Sequence, residues 1–453
     1  MISLLLAIAP AVAVVDDPPS LLLLDANPRY LEFRGKPAIL VASGEHYGAV
    51  LNRDFDTVAY LDALKAHGLN LTRTFSGTYL EVPGSFRIED NTLAPAPGRY
   101  LGPWVRLDDG RFDLDRFEPA YFERLSKFVA DAGERGIVVE YVLFCPFYSE
   151  DLWAVNPMNA RNNVNGVGDH GRFEAYDGRH EGLLRLQLAF VRKAVAELNR
   201  FDNVYFEVCN EPYFGGVTDD WQRRIAREIA DAEAKLPRRH PIARNIANGQ
   251  QKVVDPDPLV TIFNFHYATP PDTVALNAPL NRPIGDDETG FRGVEDRAYR
   301  REAWEFLLAG GAIFSNLDYS FTTASPDGRA EVRPPTPGGG GPRLRRQLGF
   351  LKAFLERFDF PRMKPDRNPI AKDRQAARAL VEPGRQYAIY LANGDRKALE
   401  IDLPAGRYEA TWFDPAEAKA IGEPAAFRHE GGVRSLSCPP APEDLAIRIV
   451  ALD

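Results

Sequence analysis

Residues 204–212 read Val-Tyr-Phe-Glu-Val-Cys-Asn-Glu-Pro, a run of β-branched and aromatic residues that ends at a carboxylate and a proline. Such a run predicts a short buried strand, because branched and aromatic side chains favour strands and proline stops them. Side chains alternate between the two faces of a strand, so Glu207 and Glu211 share one face. The sequence therefore predicts that Glu211 lies just beyond a buried strand. It also predicts that Glu207 lies within that strand, where its buried carboxylate is paired with a cation.

The same strand pattern recurs on both sides of this stretch, and helical patterns lie between the copies. The predicted strands are Ala38–Ala42, Leu69–Phe75, Ile137–Phe144, Val204–Val208, Pro241–Ile246, Leu259–Phe265, Arg282–Gly285 and Ala312–Leu317. The predicted helices are Phe55–His67, Pro119–Arg135, Leu183–Leu198, Trp221–Lys235, Tyr299–Leu308 and Leu344–Phe358. Eight strand–helix units, with no glycine-rich phosphate-binding turn after any strand, favour a closed parallel barrel. We therefore expect an α/β protein in which residues 28–360 form a (β/α)8 TIM barrel.

The pattern changes near residue 366. Short alternating strands separated by Gly, Pro and Asn are predicted at Tyr387–Leu391, Leu399–Leu403, Glu409–Phe413 and Leu445–Val450. This spacing is typical of a small antiparallel β-sandwich, which we expect over residues 366–453. Trp412 in the third of these strands could serve either packing against the barrel or carbohydrate binding. The Pro- and Gly-rich stretch 333–342 is predicted to be a flexible loop within the barrel.

The N-terminus indicates export. Residues 1–13 are apolar and end in Ala11-Val12-Ala13, which is typical of a secretory signal with a small-residue cleavage site. The usual positive start is missing, and a buried strand is the alternative for this stretch. We expect a secreted or periplasmic protein. No later stretch is apolar for the roughly 20 residues that a membrane helix needs, so no membrane span is expected.

The composition of the chain argues against some classes of binding partner. The net charge of −9, without clusters of Lys and Arg, argues against nucleic acid. The three cysteines cannot form a disulfide framework, and no spacing of Cys and His suggests a zinc site. The composition therefore favours a neutral or weakly charged substrate, and we expect neither a metal nor another cofactor.

Two glutamates are the candidates for chemistry. Hydrolysis of a glycosidic bond needs one carboxyl group that donates a proton and a second that attacks or activates water. In a barrel, such groups belong at the C-terminal ends of the strands. Glu211 follows the fourth predicted strand and Glu288 follows the seventh. The sequence alone thus predicts that these two side chains meet at one end of the barrel.

The Asn210-Glu211-Pro212 motif after the fourth strand resembles that of clan A glycoside hydrolases, the cellulase-like family 5 and its relatives. The resemblance covers roughly residues 28–360. It implies that Glu211 is the acid/base, that Asn210 binds the sugar 2-hydroxyl and that Glu288 is the nucleophile. It also implies that Arg73, on the second strand, binds the nucleophile.

The sixth strand departs from the family pattern. His266 and Tyr267 resemble the His and Tyr that end this strand in the family. The family places its Tyr two residues after the His, where this chain has Ala268, so Tyr267 could point elsewhere. Two further acids, Asp286 and Asp287, precede the predicted nucleophile. Their charge would raise its pKa unless a cation offsets it.

Further residues are predicted to contact the sugar. Asp318 and Tyr319 end the eighth strand, where many relatives have a Trp that stacks on the sugar. We expect Asp318 to bind a sugar hydroxyl and Tyr319 to replace the stacking Trp. Glu45 and His46 end the first strand and could serve either the sugar or structural hydrogen bonds. Trp153 lies on a long loop, where aromatic residues serve sugar faces or local cores. The same two roles, sugar contact or local packing, are open for four further loop residues: Trp104, Phe147, Tyr148 and Tyr213.

The favoured interpretation is a retaining glycoside hydrolase that cleaves O-glycosidic bonds of a plant or microbial oligo- or polysaccharide by double displacement. A catalytically silent carbohydrate-binding barrel is the alternative. Such a protein would not need both carboxylates together with Asn210 and Arg73. A lyase or an esterase is a third reading, and the missing Gly-x-Ser-x-Gly turn counts against the esterase.

Overall fold

A computed structural model gives the structure of residues 20–441 and 443–452. The predicted secretory signal at residues 1–13 lies outside the described residues. Eight strands form one parallel sheet, and they are β1 Leu40–Gly44, β2 Leu71–Phe75, β3 Val138–Val142, β4 Val204–Glu207, β5 Ile242–Asn248, β6 Ile262–His266, β7 Ile284–Thr289 and β8 Ile313–Leu317. Their order in the sheet is β1-β8-β7-β6-β5-β4-β3-β2.

The two outer strands of this sheet, β1 and β2, meet and nearly close a barrel. The Asn70 N–H donates to the Val41 carbonyl at 3.2 Å, and the Phe75 N–H donates to the Tyr47 carbonyl at 2.9 Å. The predicted (β/α)8 architecture is therefore confirmed. The predicted first strand began too early, because Lys36–Ala38 belongs to a separate three-stranded sheet with Leu22–Leu23 and Leu31–Phe33.

Helices cover the outside of the barrel. The longer ones are Thr57–Ala66, Pro119–Glu134, Glu181–Leu198, Asp219–Glu233, Asp296–Leu308 and Pro342–Leu355, and two short ones are Glu150–Ala154 and Asp272–Asn277. Residues 249–261, between β5 and β6, form a loop without a helix, so one of the eight expected strand–helix units lacks its helix. This loop contains Pro256 and Pro258, and proline both lacks an N–H donor and keeps the preceding residue out of the helical region.

Strand β7 is longer than its sequence pattern indicates. The prediction ended at Gly285, whereas the strand continues to Thr289 with all of its residues buried. Asp286 and Asp287 break the apolar run that marks a buried strand, so the pattern stops early. The second predicted catalytic residue, Glu288, consequently lies within the strand and not in the loop after it.

The C-terminal residues form the predicted antiparallel module. Its strands are β9 Ala377–Glu382, β10 Gln386–Leu391, β11 Ala398–Leu403, β12 Gly406–Asp414, β13 Lys419–His429, β14 Gly432–Ser437 and β15 Leu445–Leu452. The short strand Lys364–Pro365 begins a six-stranded sheet that continues β9-β10-β15-β12-β13, and β11 pairs with β14. The two sheets enclose their own core, so the module is a small sandwich.

The six-stranded sheet is shared between the sandwich and the barrel. Along β10, Tyr387 and Ile389 face the sandwich core, whereas Ala388 and Tyr390 belong to the barrel core. This alternation follows the two-residue period of a strand. The Tyr390 ring stacks on Trp304 of the helix after β7, with ring centroids 5.2 Å apart. Among the described residues, no helix is long and apolar enough to cross a membrane.

Candidate active site

A cavity of about 360 Å³ opens at the C-terminal ends of the barrel strands, where barrels carry their active sites. Both predicted catalytic residues, Glu211 and Glu288, lie in its wall. Aromatic rings form much of the rest, which gives the cavity apolar faces beside a few polar groups. These rings belong to Tyr47, Phe75, Tyr79, Phe86, Tyr148, Phe214, Tyr267 and Phe291.

Glu211 lies beyond β4 in a left-handed backbone conformation (φ 35°), which is uncommon for a residue with a side chain. The Tyr148 hydroxyl donates to Oε2 at 2.6 Å, and His266 Nδ1 lies 3.1 Å from Oε1. Tyr213 donates to Oε1 at 3.4 Å. The carboxyl group is thus held at a fixed place in the wall by rings from three different segments.

Glu288 accepts hydrogen bonds at both of its oxygens. Arg73 Nη1 donates to Oε2 at 3.1 Å, and the Tyr47 hydroxyl donates to the same oxygen at 3.0 Å. The Tyr267 hydroxyl donates to Oε1, also at 3.0 Å. A carboxylate that only accepts hydrogen bonds suits this set of three donors. The prediction that Arg73 binds Glu288 agrees with this geometry.

The two carboxyl groups approach each other across one histidine. An oxygen of Glu211 and an oxygen of Glu288 lie within 4.8 Å of each other and of a ring nitrogen of His266. His266 Nδ1 is 3.1 Å from Glu211 Oε1 and 3.5 Å from Glu288 Oε1. The histidine side chain itself is fully buried. The motif residues of strands four, six and seven therefore converge on one point.

Tyr267 reaches the nucleophile candidate despite its unusual spacing. Its backbone is left-handed (φ 52°), and its N–H donates to the Glu288 carbonyl at 2.9 Å. This conformation turns the side chain towards the cavity from the position directly after His266. The expectation that Tyr267 could point elsewhere is corrected, because the backbone compensates for the one-residue difference from the family pattern.

Arg73 links the cavity to the barrel interior. Its Nη2 donates to Glu207 at 2.6 Å and to Asn210 Oδ1 at 2.7 Å. The Asn210 amide in turn donates to the Tyr148 hydroxyl at 2.8 Å. Glu207 thus has the cation that its place on β4 predicts. Through Asn210, the same guanidinium orients the donor to Glu211.

The acids beside Glu288 contribute less charge than their number suggests. Burial, followed by the neighbouring carboxylates of Glu207 and Glu140, holds the pKa of Asp287 well above its ordinary value, although Arg73 opposes this. Burial and the charge of Glu302 likewise raise the pKa of Asp286. Both environments favour the neutral acid. Their predicted electrostatic effect on the nucleophile is therefore reduced by their own burial.

The pKa of Glu211 is shifted downwards in the unliganded protein. Burial acts to raise it, but the hydrogen bond from His266, the charge of that ring and the Tyr148 hydrogen bond together lower the pKa below its ordinary value. A proton donor in this position needs a raised pKa. A ligand that covers Glu211 would increase the contribution of burial, which is already the largest single one.

Two groups of ligand-type side chains could share a cation. In each group one atom per residue lies within 4.8 Å of the others, and the groups are Glu211, His266 and Glu288, and Glu140, Glu207 and Asp287. The second group surrounds the guanidinium of Arg73 and the amide of Asn264, which already supply positive charge and donors. The oxygens of the first group accept from Arg73 and tyrosine hydroxyls.

Several predicted sugar contacts lie behind the cavity wall. Glu45 accepts from the N–H groups of Gly48 and Ala49 and from Thr92, so its role is structural. Trp153 is buried against Phe147 and donates to the His170 carbonyl at 3.0 Å, which makes it part of a loop core. The expected sugar contacts of Glu45 and Trp153 are corrected on this geometry.

Asp318 is also structural. Ser43, Ser320 and Arg345 donate to its side chain, and so does the Gly341 N–H at 2.9 Å. The glycine run before Pro342 packs over the ends of β7 and β8, where a Cβ at Gly338 would lie 1.8 Å from the Gly290 carbonyl oxygen. Small residues are thus needed there for close approach. The expected flexible loop is a tightly packed one.

Two neighbouring rings end the first and eighth strands. His46 lines the cavity, and its ring stacks against that of Tyr319 with centroids 6.2 Å apart. Tyr319 is buried behind His46 and meets Phe291 edge-on at 6.4 Å. His46 therefore remains a predicted sugar contact, whereas Tyr319 supports the rings that form the wall.

Sequence reasoning missed two groups that the structure brings to the site. Tyr47 reaches Glu288 because its own backbone is left-handed (φ 60°), a feature with no signal in the local pattern. Glu81 lies in the long loop after β2 and lines the cavity. A carboxylate in a long irregular loop carries no periodic signal, so neither the strand nor the motif analysis could find it.

Solved structures share this fold at low sequence identity. A candidate glycoside hydrolase from Bacteroides vulgatus superimposes with a TM-score of 0.68 at 17% identity, covering 97% of this chain and 84% of that one. A family 5 glycoside hydrolase from the same organism gives 0.62 at 15% identity, with 95% and 93% covered. The endo-1,4-β-mannanase of Rhizomucor miehei gives 0.51 at 10% identity, with 75% and 100% covered.

No protein-family model matches the sequence, and no curated protein matches it. At these identities the structural likeness shows the fold. The neighbours are glycoside hydrolases built on a barrel of the kind that the sequence predicts.

Proposed function

We propose that this protein is a retaining glycoside hydrolase, with Glu288 as nucleophile and Glu211 as acid/base. The observation that carries the proposal is the approach of these two carboxyl groups to within 4.8 Å at the ends of barrel strands. Retaining enzymes hold their carboxyl groups about 5–5.5 Å apart, whereas inverting enzymes need about 6.5–9.5 Å to admit a water molecule. The fold shared with glycoside hydrolases supports the same conclusion.

In the first step Glu288 attacks the anomeric carbon. The bond from that carbon to the leaving oxygen breaks, and Glu211 transfers its proton to this oxygen, so the leaving group departs as an alcohol. The products are a glycosyl ester on Glu288 and an ionised Glu211. Arg73 and the Tyr47 and Tyr267 hydroxyls keep the attacking oxygens in place through their hydrogen bonds.

In the second step water attacks the same carbon. Glu211 takes a proton from this water, the ester bond breaks, and Glu288 leaves as a carboxylate. The sugar is released with its original anomeric configuration, because two inversions cancel. The lowered pKa of Glu211 suits this step, in which the group must accept a proton. Burial by the substrate, which raises the pKa, suits the first step.

The substrate we propose is a plant or microbial oligo- or polysaccharide. Aromatic side chains line much of the cavity and can meet the apolar faces of sugar rings, while the polar groups converge at its base. The volume of about 360 Å³ suits a ligand of small-molecule size, so the cavity encloses a part of such a chain. A secreted or periplasmic location remains our prediction for an enzyme of this kind.

The two glutamates can be separated by the leaving group. Glu288→Ala should abolish turnover of every aryl glycoside that the wild type hydrolyses, and azide should restore activity with an inverted glycosyl azide as product. Glu211→Ala should still hydrolyse dinitrophenyl glycosides, whose leaving group needs no proton. Its rate on glycosides with poor leaving groups should fall by about 10²–10⁴-fold. Steady-state rates over a panel of aryl glycosides measure both effects.

The exposed Glu123, on the helix after β2, provides the control Glu123→Ala, which should leave all rates unchanged. Equal losses on good and poor leaving groups in Glu211→Ala would remove its role as the acid. A wild-type protein that binds oligosaccharides and hydrolyses none of them would instead support a carbohydrate-binding barrel.

A further inference from the structure

A third carboxylate, Glu81, lies in the cavity wall. Its side chain is 2% exposed, and three groups hold it in place. The Tyr79 hydroxyl donates to Oε1 at 3.1 Å, His46 Nε2 lies 3.4 Å from the same oxygen, and the Asn91 amide donates to Oε2. The reaction as proposed above does not use this group, so its burial in the wall needs another explanation.

Glu81 has room for one more hydrogen bond. The two oxygens of a carboxylate offer about four acceptor sites, and the three neighbours occupy three of them. Burial of a carboxylate is costly unless its acceptor sites are used. A sugar hydroxyl is a donor of suitable size. Because its neighbours fix the carboxylate, such a contact would be formed without reorganising the wall.

The position of Glu81 indicates which part of the substrate it meets. Glu211 must face the leaving oxygen, so the leaving group lies on the side of β4. Glu81 follows β2, and its partner His46 follows β1. The His46 ring stacks on that of Tyr47 with centroids 5.6 Å apart, and the Tyr47 hydroxyl donates to Glu288, so this pair lies beside the attacking carboxylate. The sugar that Glu288 attacks must therefore extend towards Glu81 and His46 with the edge remote from its anomeric carbon.

The charge of the wall points the same way. Among the described residues that line it, the acids are Glu81, Glu211 and Glu288, the base is His46, and none is a lysine or an arginine. Arg73 lies behind the wall, engaged with Glu207 and Glu288. A carboxylate on the bound sugar would thus meet like charge without a free cation nearby.

We propose that Glu81 is a specificity-determining residue that accepts a hydrogen bond from a hydroxyl on the remote edge of the attacked sugar and excludes sugars that carry a carboxylate there. This inference rests on the proposed function for the orientation of the sugar. The substrate class is accordingly a neutral glycoside and not a glycuronide.

Matched substrates test this proposal. A neutral aryl hexoside and the corresponding aryl uronide differ only in the exocyclic group on C5, which is a hydroxymethyl group in the first and a carboxylate in the second. In Glu81→Gln the ratio of kcat/KM for hexoside over uronide should fall by about 10- to 100-fold relative to wild type, because a hydrogen bond to a charged group and a repulsion are both lost. Glu81→Asp keeps the negative charge but shortens the side chain, so the carboxylate lies further from the sugar. This variant should lose hexoside activity and still reject the uronide.

Glu89→Gln, an exposed change in the same loop, is the matched control and should leave the ratio unchanged. Circular dichroism and thermal unfolding of each variant show that the fold is retained. Calorimetric binding of the free hexose and the uronic acid to wild type and Glu81→Gln gives a second readout that needs no catalysis. An unchanged ratio and unchanged relative affinities in Glu81→Gln would overturn the inference while the proposed hydrolysis stands. If wild type hydrolyses no glycoside but the relative affinities shift, the proposed function fails and the sugar contact is retained.

Discussion

At the scale of single residues, His266 lies between the two proposed catalytic carboxyl groups. Its Nδ1 lies 3.1 Å from Glu211 and 3.5 Å from Glu288, and its Nε2 lies 3.5 Å from Asp287. Its hydrogen bond and charge are what overcome burial and lower the pKa of Glu211. We therefore assign His266 the role of a positioning residue that sets the protonation of the acid.

This role predicts a shift in pH dependence. The alkaline limb of kcat/KM reports the pKa of the free acid, here Glu211, which must be protonated to act. Removing His266 removes the influences that lower this pKa, so in His266→Gln the alkaline limb should move to higher pH. The maximal kcat/KM should fall by about 10²-fold, because the carboxyl is no longer held in place. Rates on a poor leaving group between pH 4 and 9 measure both.

The partly exposed His429 of the sandwich provides the control His429→Gln, which should keep the wild-type profile. An alkaline limb that stays in place or moves to lower pH in His266→Gln would show that another group governs Glu211.

The residues of the site were predictable to different degrees. Glu211 follows from its place after a strand whose pattern is clear in the sequence, whereas Arg73 and His266 were predicted through the resemblance of their strands to those of clan A glycoside hydrolases. Tyr47 and Tyr267 reach Glu288 through left-handed backbone conformations, which depend on the packing around them and leave no mark in a single sequence.

At the scale of elements, the strands carry a polar layer inside the barrel, where branched apolar side chains are usual. Its members are Arg73 on β2, Glu140 on β3, Glu207 on β4, Asn264 on β6 and Asp287 on β7. The Asn264 amide nitrogen, which carries two hydrogens, lies 2.8–3.0 Å from an oxygen of each of the three acids. This layer supports Arg73 from below, and through it Asn210 and Glu288.

Glu140 makes the stability of this layer depend on pH. The pKa of Glu140 is raised to about 8 from an ordinary value of 4.5. Burial is the largest cause and the charge of Glu207 the next, while the charge of Arg73 acts in the opposite direction. Between these two values the folded protein holds a proton that the unfolded chain releases. Stability therefore falls as pH rises through this window.

The neutral variant Glu140→Gln should remove part of this dependence. It imitates the protonated acid, so its melting temperature should exceed that of wild type at pH 8 and differ little at pH 5. Thermal unfolding at the two pH values measures the difference. Glu134→Gln, at an exposed position on the helix before β3, is the control and should follow wild type. A wild-type pH dependence in Glu140→Gln would contradict the raised pKa.

The elements themselves were predicted where the apolar pattern is continuous. Strand β4 and the helix Glu181–Leu198 lie close to their predicted bounds. Strand β7 was cut short because its acids Asp286 and Asp287 are buried, and Asp287 joins a polar network with Asn264 and Arg73 that only the assembled barrel provides. Alternation of apolar and polar residues cannot show such a network, since its partners lie on other strands.

At the scale of the whole molecule, one sheet serves two cores. The barrel face of this sheet meets the helix after β7 not only through Tyr390 and Trp304 but also through Arg300, which pairs with Asp444 at 3.0 Å. The helix Pro342–Leu355 contributes Phe354, whose ring meets Phe413 edge-on at 5.3 Å. These contacts give the segment around Trp412 a packing role in the described structure.

The sandwich was predictable from its turns, but its contact with the barrel was not. Strand β10 is apolar on both faces, with Tyr387 and Ile389 on one face and Tyr390 on the other. A strand that is apolar on both faces indicates burial without naming the partner. Only the assembled protein shows that one face belongs to the barrel.

The proposed double displacement requires a covalent glycosyl–enzyme intermediate on Glu288. The most direct measurement uses a 2-deoxy-2-fluoro glycoside with an activated leaving group, made from the sugar that the aryl glycoside panel identifies. Intact-mass spectrometry should show one added fluoroglycosyl group, and peptide mapping should place it on Glu288. Label on Glu211 or on another residue, or inactivation without any covalent label while the parent glycoside is hydrolysed, would contradict the double displacement proposed for this protein.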